Sequence, residues 1–247
     1  MPYWSLGPAR PFVSGRAVPG LGFARLSLAA GYGKPHWLWA GLEGIGILTI
    51  DCAAAQAGLH LSAVLVDLSV IVRRTAAFEH TLIPVMDSVR SRDLEQANQA
   101  GAKSNVVEAS LSGALPYGRW LLTLELTYVR PLGQSPSLLL YEEIQRVAIT
   151  SRGVVTSKLG PMVNLSTGGQ FYLGMLVEHL SLLGRNDGLV FRIGPSAWIE
   201  LSRHWNLFGY VTWPVNGPDH LGAWDGGYGG AGLLYQFATG ESQGRLP

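Results

Sequence analysis

From residue 118 to residue 131 the chain reads GRWLLTLELTYVRP. Taken alternately, Trp120, Leu122, Leu124, Leu126 and Tyr128 fall on one face, and Leu121, Thr123, Glu125, Thr127 and Val129 on the other. A period of two marks a strand, because successive side chains leave opposite faces of the pleat. One face here is wholly apolar and carries an aromatic ring with a polar handle at each end. A soluble sheet would cover such a face with a second sheet or with helices and has no use for the rings. A lipid bilayer accounts for both, with the leucines in hydrocarbon and Trp120 and Tyr128 at the two headgroup levels. About eight steps of ~3.3 Å, tilted by about 40°, rise on the order of 20 Å, a little short of the ~25 Å apolar band of such a strand.

Segments of the same length and period recur along the chain. They begin with FARLSLAAGY, KPHWLWAGLEGIGILTI, AAAQAGLHLSA and VDLSVIVRRTAAF, and after a polar stretch SNVVEASLSGAL pairs with the opening segment through a turn near PYG. LLLYEEIQRVAI, VVTSKLGPMVNLST, QFYLGMLVEHLSLL, LVFRIGPSAWIELSRH, WNLFGYVTW and GGYGGAGLLYQF follow, with a strong turn signal at GRNDG. Glu142 and Glu143 stand side by side and break the alternation of their segment. The pattern predicts about twelve strands, within a range of ten to fourteen. Unpaired backbone amides cost several kcal/mol in hydrocarbon, so the sheet must close on itself. The expected fold is all-β: a closed antiparallel transmembrane β-barrel. Residues 1–247 form one domain in this reading, with a short N-terminal segment 1–15, a C-terminal tail 238–247, and long connections at 79–104 and 214–227. Within the first of these, residues 88–103 read as a polar loop carrying one or two helical turns.

The alternation sorts the side chains. Arg25, Glu43, Asp67, Arg73, Glu125, Arg192 and Glu200 are expected to face the lumen. Tyr32, Trp120, Tyr128, Tyr235 and Phe237 are expected to form an aromatic girdle on the outside. The inward charges either line a water-filled pore or pair across a narrow lumen and plug it, and the pattern leaves both open.

Composition sharpens the picture. Only 14% of residues are charged, against about 25% in soluble domains, while 47% are hydrophobic and the chain holds 32 glycines, eight tryptophans and nine tyrosines. These proportions favour a membrane barrel over a secreted β-sandwich. The net charge of +1 supplies no basic field for nucleic acid. Cys52 is the lone cysteine, which excludes an intramolecular disulfide or a cysteine cluster for zinc. The longest uncharged stretch, Leu159 to Val177, contains NLSTGGQ and reads as a hairpin tip rather than a membrane helix. The N-terminal MPYWSLGPARPF lacks the apolar core of a signal peptide. A barrel exported to the bacterial outer membrane is therefore expected to have lost its signal.

Two His-x-Ser pairs place a histidine beside a serine on one strand face: His60 with Ser62, and His179 with Ser181. By parity the first points into the lumen and the second out to lipid, beside Phe171, Leu173, Met175 and Val177. The outward pair resembles that of outer-membrane lipid hydrolases, the twelve-stranded phospholipase and the lipid A deacylase. That resemblance implies His179 as base and Ser181 as nucleophile, with no evident third group to orient the histidine. Glu200 and His204 are too far apart along a strand to share a metal without help from another strand, and GGYGGAG lacks the strand-to-helix context of a dinucleotide fingerprint. No cofactor and no metal are expected.

The terminal GLLYQF, with Leu233, Tyr235 and Phe237 on one face, resembles the C-terminal signal of bacterial outer-membrane barrels, although ATGESQGRLP follows it here. YGKPHWLWAGLEG and VDLSVIVRRTAAF, both within the first eighty residues, resemble porin-like barrels of predatory and gliding δ-proteobacteria. Some of those serve as the outer-membrane part of a gliding machine, and the resemblance transfers no residue role. The expected function is non-enzymatic: a porin-like channel, or the integral outer-membrane component of an envelope complex. The lipid hydrolase is the alternative. The expected partners are the lipid bilayer and periplasmic or outer-membrane proteins.

Overall fold

The structure is a computed structural model that describes residues 8–78, 82–96, 103–167, 170–219, 221 and 227–239. In chain order the elements are β1 (Arg10–Gly20), β2 (Phe23–Lys34), β3 (Leu38–Thr49), β4 (Cys52–Ala63), β5 (Val66–Ala77), β6 (Leu82–Pro84), α1 (Ser91–Gln96), β7 (Lys103–Tyr117), β8 (Trp120–Leu132), β9 (Leu138–Glu142), β10 (Val147–Ile149), β11 (Val154–Asn164), β12 (Phe171–Leu182), β13 (Leu189–Glu200), β14 (Trp205–Asn216) and β15 (Tyr228–Ala238). Twelve of the strands close an antiparallel barrel in the order β1-β15-β14-β13-β12-β11-β8-β7-β5-β4-β3-β2. Among the described residues no helix is long and apolar enough to cross a membrane.

The period of two sets the wall. On β2, Leu26, Leu28 and Tyr32 are exposed while Ser27 and Ala29 are buried. On β8, Trp120, Leu122, Leu124 and Leu126 are exposed while Thr127 and Val129 are buried. The same alternation runs round the barrel, so its outside is a continuous apolar band and its inside holds the polar and charged side chains. Water would not cover such a surface stably, whereas hydrocarbon matches it, and every barrel strand finds a partner on both edges.

β1 begins and β15 ends at the same mouth of the barrel. The strand connections at that mouth are short: residues 35–37, 64–65, 118–119, 165–170 and 201–204. The opposite mouth carries the long ones, 78–102, 133–153 and 217–227, beside the tight turns 21–22 and 50–51 and the GRNDG turn. Gly22, at a φ of 76°, takes the left-handed conformation that the two-residue turn between β1 and β2 requires. The barrel closes where β1 meets β15, with Ser14 opposite Ala238 and Ala17 opposite Tyr235; the register stops at Val18 and Pro19 and resumes at Gly20 opposite Gly232. Pro19 has no amide to give to that ladder, so the proline sits where a donor is missing without cost.

The remaining three strands form a separate sheet in the order β10-β9-β6, folded into the long-loop mouth. One of its faces, with Leu140, Val147 and Ile149, packs on inward residues of the wall: Val106, Val129, Val154, Leu180, Leu182 and Val190. The other, with Ile83, Leu139, Tyr141 and Ala148, packs beneath Val89 and Leu221. Burying one aliphatic side chain contributes about 1.5–3 kcal/mol, so these two clusters hold the sheet in place. Gly153 returns the chain from this sheet to β11 at a φ of 89°, so close to the carbonyl of Val129 that no Cβ fits.

Three expectations are revised here. LLLYEEIQRVAI is not a barrel strand but β9 and β10 of the inner sheet, because its residues bury both faces against protein and neither against lipid. The twelfth barrel strand is instead β1, whose residues 10–15 fall within the expected N-terminal segment; its prolines and glycines mask its alternation. Residues 133–153 are a third long connection. Of the expected helical turns, Ser91–Gln96 forms α1, while 97–102, 1–7 and 240–247 lie outside the described residues.

Candidate functional site

The lumen is built from register. Arg16, Ser27, Ile45, Gln56 and Arg73 are opposite one another in turn across β1 to β5, and parity turns all five inward. The neighbouring row towards the long-loop mouth places Arg25 opposite Ile47. The row on the other side places Glu43 opposite Gly58, which in turn faces Ile71 and then Glu108. Together these rows enclose a cavity of about 250 Å³. At its long-loop side the wall is Ile144, from the connection between β9 and β10.

His60 lines the cavity on its short-turn side. Its Nδ1 lies 2.9 Å from Glu43 Oε2 and its Nε2 lies 3.2 Å from Asp67 Oδ1. Carboxylates only accept, so both contacts are hydrogen bonds when each ring nitrogen carries a proton. The imidazole is stacked on Trp39 at 4.5 Å between centroids and 11° between planes, and Trp39 meets the edge of Phe12. Arg16 donates from Nη2 to His36 Nδ1 at 3.1 Å, while His36 Nε2 donates to the Phe237 carbonyl at 3.1 Å. That pairing fixes the neutral tautomer of His36, and burial, reinforced by the Arg16 charge, pulls its pKa down to about 4. His36 thereby ties the turn after β2 to the last strand.

At the long-loop mouth, charged pairs fix how the inner sheet sits. Arg73 is fully buried; it bonds Glu142 of β9 and lies 3.4 Å from Glu108 of β7. Arg192 on β13 donates to Glu178 Oε2 and to the carbonyls of Gln145 and Arg146, each at 3.0 Å. Arg146 reaches Asp51 in the turn after β3 at 2.8 Å. Arg185, from the GRNDG turn, clasps Asp219 with both terminal nitrogens, at 2.6 and 2.8 Å. Beside these pairs lies Glu143, one of whose carboxylate oxygens is buried with no hydrogen-bond partner among the described residues. Burial first, and then the Asp51 carboxylate, push its pKa up to about 8, so the group is mostly neutral at pH 7.

A second network lines the opposite wall. Lys158 Nζ sits 3.1 Å from Glu125 and 3.8 Å from Glu178. Tyr228 donates to Glu178 at 2.7 Å, and the Arg192 guanidinium lies over its ring at 4.8 Å. Between this network and the short-turn mouth opens a vestibule of about 700 Å³. It shares Asp67, Ser112 and Glu125 with the smaller cavity, so the two adjoin.

Arg25, Glu43, Asp67, Arg73 and Glu125 thus come together around one cavity, and Arg192 is buried in the adjoining network. Glu200 differs: it is the last residue of β13, exposed at the short-turn rim, and lines neither cavity. The strand ends there, so its inward parity carries it to the edge rather than the wall. His60 lies in the lumen as its parity predicts. Arg16, Glu108, Lys158 and Glu178 are lumen residues outside the expected set; parity alone places Glu178 there, whereas Arg16 is hidden with β1. Outside, Tyr32, Trp120, Tyr235 and Phe237 lie at the short-turn level, with Tyr235 packed on Trp205 at 4.6 Å. Tyr128 lies towards the other level and donates to the Arg152 carbonyl at 3.2 Å.

His179 and Ser181 share the outer face of β12, as parity requires, but no hydrogen bond joins them, and among the described residues neither side chain has a polar partner. Nothing there orients the imidazole towards the hydroxyl. No group of three His, Cys, Asp or Glu side chains among the described residues converges as a metal site.

No family model matches the chain, and no curated protein does. Among solved structures it is similar to an outer membrane channel from Pseudomonas putida F1, at 11% identity over 94% of this chain and 96% of the other, with a TM-score of 0.48. It is also similar to the KdgM porin, at 10% identity over 92% and 99% of the two chains, with a TM-score of 0.46. A third similar structure is the NanC porin, at 9% identity over 91% and 98%, with a TM-score of 0.41.

Proposed function

We propose that this chain is a porin-like barrel of the bacterial outer membrane whose solute pathway is held shut by its own loops. The observation that carries the reading is the inner sheet packed inside the long-loop mouth, across a lumen that stays open and charged from the other end. An even strand count with both barrel ends on the short-turn side matches the outer-membrane arrangement, in which short turns face the periplasm and long loops face outward. The lumen is then entered from the periplasm and blocked on the outside. Its polar wall suits a hydrophilic or charged solute rather than a lipid.

The test is conductance in a planar bilayer. The full chain is expected to be silent or nearly so, and a variant with residues 134–152 replaced by a short Gly-Ser linker is expected to give reproducible steps. Silence of both folded proteins would contradict a channel and favour a barrel that serves as a docking component of an envelope assembly. Steps of equal size from both would show that the sheet does not close the pathway.

A further inference from the structure

The charged residues on the outside of the barrel are few and of one sign. Among the described residues no carboxylate takes an outward position on any of the twelve strands. Lys34 stands outward at the short-turn end of β2, while Arg74 on β5, Lys103 on β7 and Arg130 on β8 stand outward at the long-loop end. Those three strands are adjacent, and all three long-loop cations are exposed. Arg74 lies opposite Asn105, and Lys103 opposite Ala76, so the two cations are diagonal neighbours, with backbones ~7–8 Å apart. Arg130 lies opposite Val107, one outward step from Asn105. At ~4.8 Å between strands and ~3.3 Å per residue, its backbone is on the order of 12 Å from that of Arg74. Asn105, also outward and exposed, places an amide between them.

Among the described residues none of the three is in an ion pair. The acidic groups of that mouth are engaged or elsewhere. Asp51 is held by Arg146, Asp219 by Arg185 and Asp93 by Arg92, and Asp87 lies with Asp187 by the β12–β13 turn, where Arg185 meets the Asp87 carbonyl. Towards the middle of the same strands the outward face is aliphatic, with Val70, Val72, Leu111 and Leu126 exposed. Three cations therefore sit where the apolar band ends, at the level of lipid headgroups. A soluble anion would use the charges and leave the band beneath them unused, whereas a lipid uses both. Arginine forks hold phosphate by paired hydrogen bonds, and a spread on the order of 12 Å exceeds what one phosphate can bridge. We propose that this face binds an outer-leaflet lipid whose headgroup carries two phosphates, one held by Arg74 and Lys103 and the other by Arg130, with its acyl chains along the valines and leucines. The leaflet rests on the orientation given under the proposed function.

The experiment is native mass spectrometry of the full folded protein in detergent, titrated with bisphosphorylated lipid A, a diglucosamine glycolipid, and with its monophosphorylated and dephosphorylated forms. Saturable binding of one bisphosphorylated lipid is expected, at least threefold weaker with one phosphate and at least tenfold weaker with none. The triple variant Arg74→Gln, Lys103→Gln and Arg130→Gln is expected to weaken it at least tenfold, and Arg130→Gln alone at least threefold, with the gel shift on boiling unchanged in both. Arg119→Gln, at the exposed short turn of the same hairpin, is expected to change nothing. Equal binding of the dephosphorylated lipid, or full binding by the triple variant, would overturn the proposal. So would displacement of the lipid by millimolar inorganic phosphate, which would make the patch a site for free anions. Conductance of the linker variant in a protein that binds no lipid would sink this site and leave the channel standing. Lipid binding beside silence in every variant would do the reverse.

Discussion

Arg73 on the barrel wall is bonded to Glu142 on the inner sheet, and both side chains are buried. A buried ion pair adds little net stability, but removing one partner strands the other charge at a cost of about 3–5 kcal/mol. The pair therefore works as a registration device: the apolar clusters hold the sheet in the mouth, and Arg73 sets where along the wall it seats. Arg73→Ala is expected to lower stability by about 3 kcal/mol and to raise the open fraction in bilayer recordings. The double variant Arg73→Met with Glu142→Leu is expected to regain only part of that stability, because it leaves Glu108 without its arginine. Thermal loss of the gel-shifted form measures both.

The His60 cluster makes a comparable demand lower in the lumen. His60→Leu leaves Glu43 and Asp67 facing one another without a shared donor and removes the ring stacked on Trp39. Asp67 is partly exposed, which softens the penalty. A loss of about 2 kcal/mol is expected, with tryptophan fluorescence shifted as Trp39 loses its cover. A variant as stable as the parent would show that the cluster is not a structural centre of the lumen.

Glu143 gives the inner sheet a pH dependence with a defined sign. Its carboxyl stays protonated up to about pH 8 in the docked sheet, whereas its ordinary value is 4.5. Between those values the released form binds fewer protons than the docked one, so docking weakens steadily as pH rises from 4.5 to 8 and loses nothing more from this group above that. The ionised group would face the Asp51 and Glu142 carboxylates, with Arg146 the one compensating charge among the groups that shift it. Opening frequency is expected to rise over that window, and Glu143→Gln is expected to flatten the rise. A flat profile in the parent would remove Glu143 from the account.

The outward pair on β12 leads to a negative expectation. His179 and Ser181 lie on the apolar face with no hydrogen bond between them, so Ser181 has no activated proton path. Fatty-acid release from outer-membrane lipid vesicles is expected to be indistinguishable between the parent and Ser181→Ala. Release by the parent alone would restore the hydrolase.

Much of the barrel could be read from alternation, because each strand with lipid on one side and lumen on the other must repeat every two residues. GRWLLTLELTYVRP and LVFRIGPSAWIELSRH show this plainly, and five of the seven expected lumen charges meet around one cavity. The inner sheet was harder to read. LLLYEEIQRVAI has the length and composition of a spanning strand, and what separates it is that Glu142 and Glu143 interrupt its period. A second signal lay in the wall itself: Val106, Val129, Val154, Leu180 and Val190 are apolar at inward positions near the long-loop mouth. A water-filled lumen has no reason for them, and a protein cover does. β1 escaped because Pro11, Gly15, Pro19 and Gly20 break its pattern, and Arg16 went with it. The His60 cluster joins three strands, and strand register, which no single segment carries, brings it together.

The most direct measurement is hydrogen–deuterium exchange of the full protein in lipid nanodiscs, read over Leu138–Glu142 and Val147–Ile149. A sheet packed inside the barrel exchanges only when it undocks, so these amides are expected to be protected for hours, as the neighbouring strands β7 and β11 are. Exchange within seconds, as in an exposed loop, would mean that the mouth is open and would contradict a barrel closed by its own sheet.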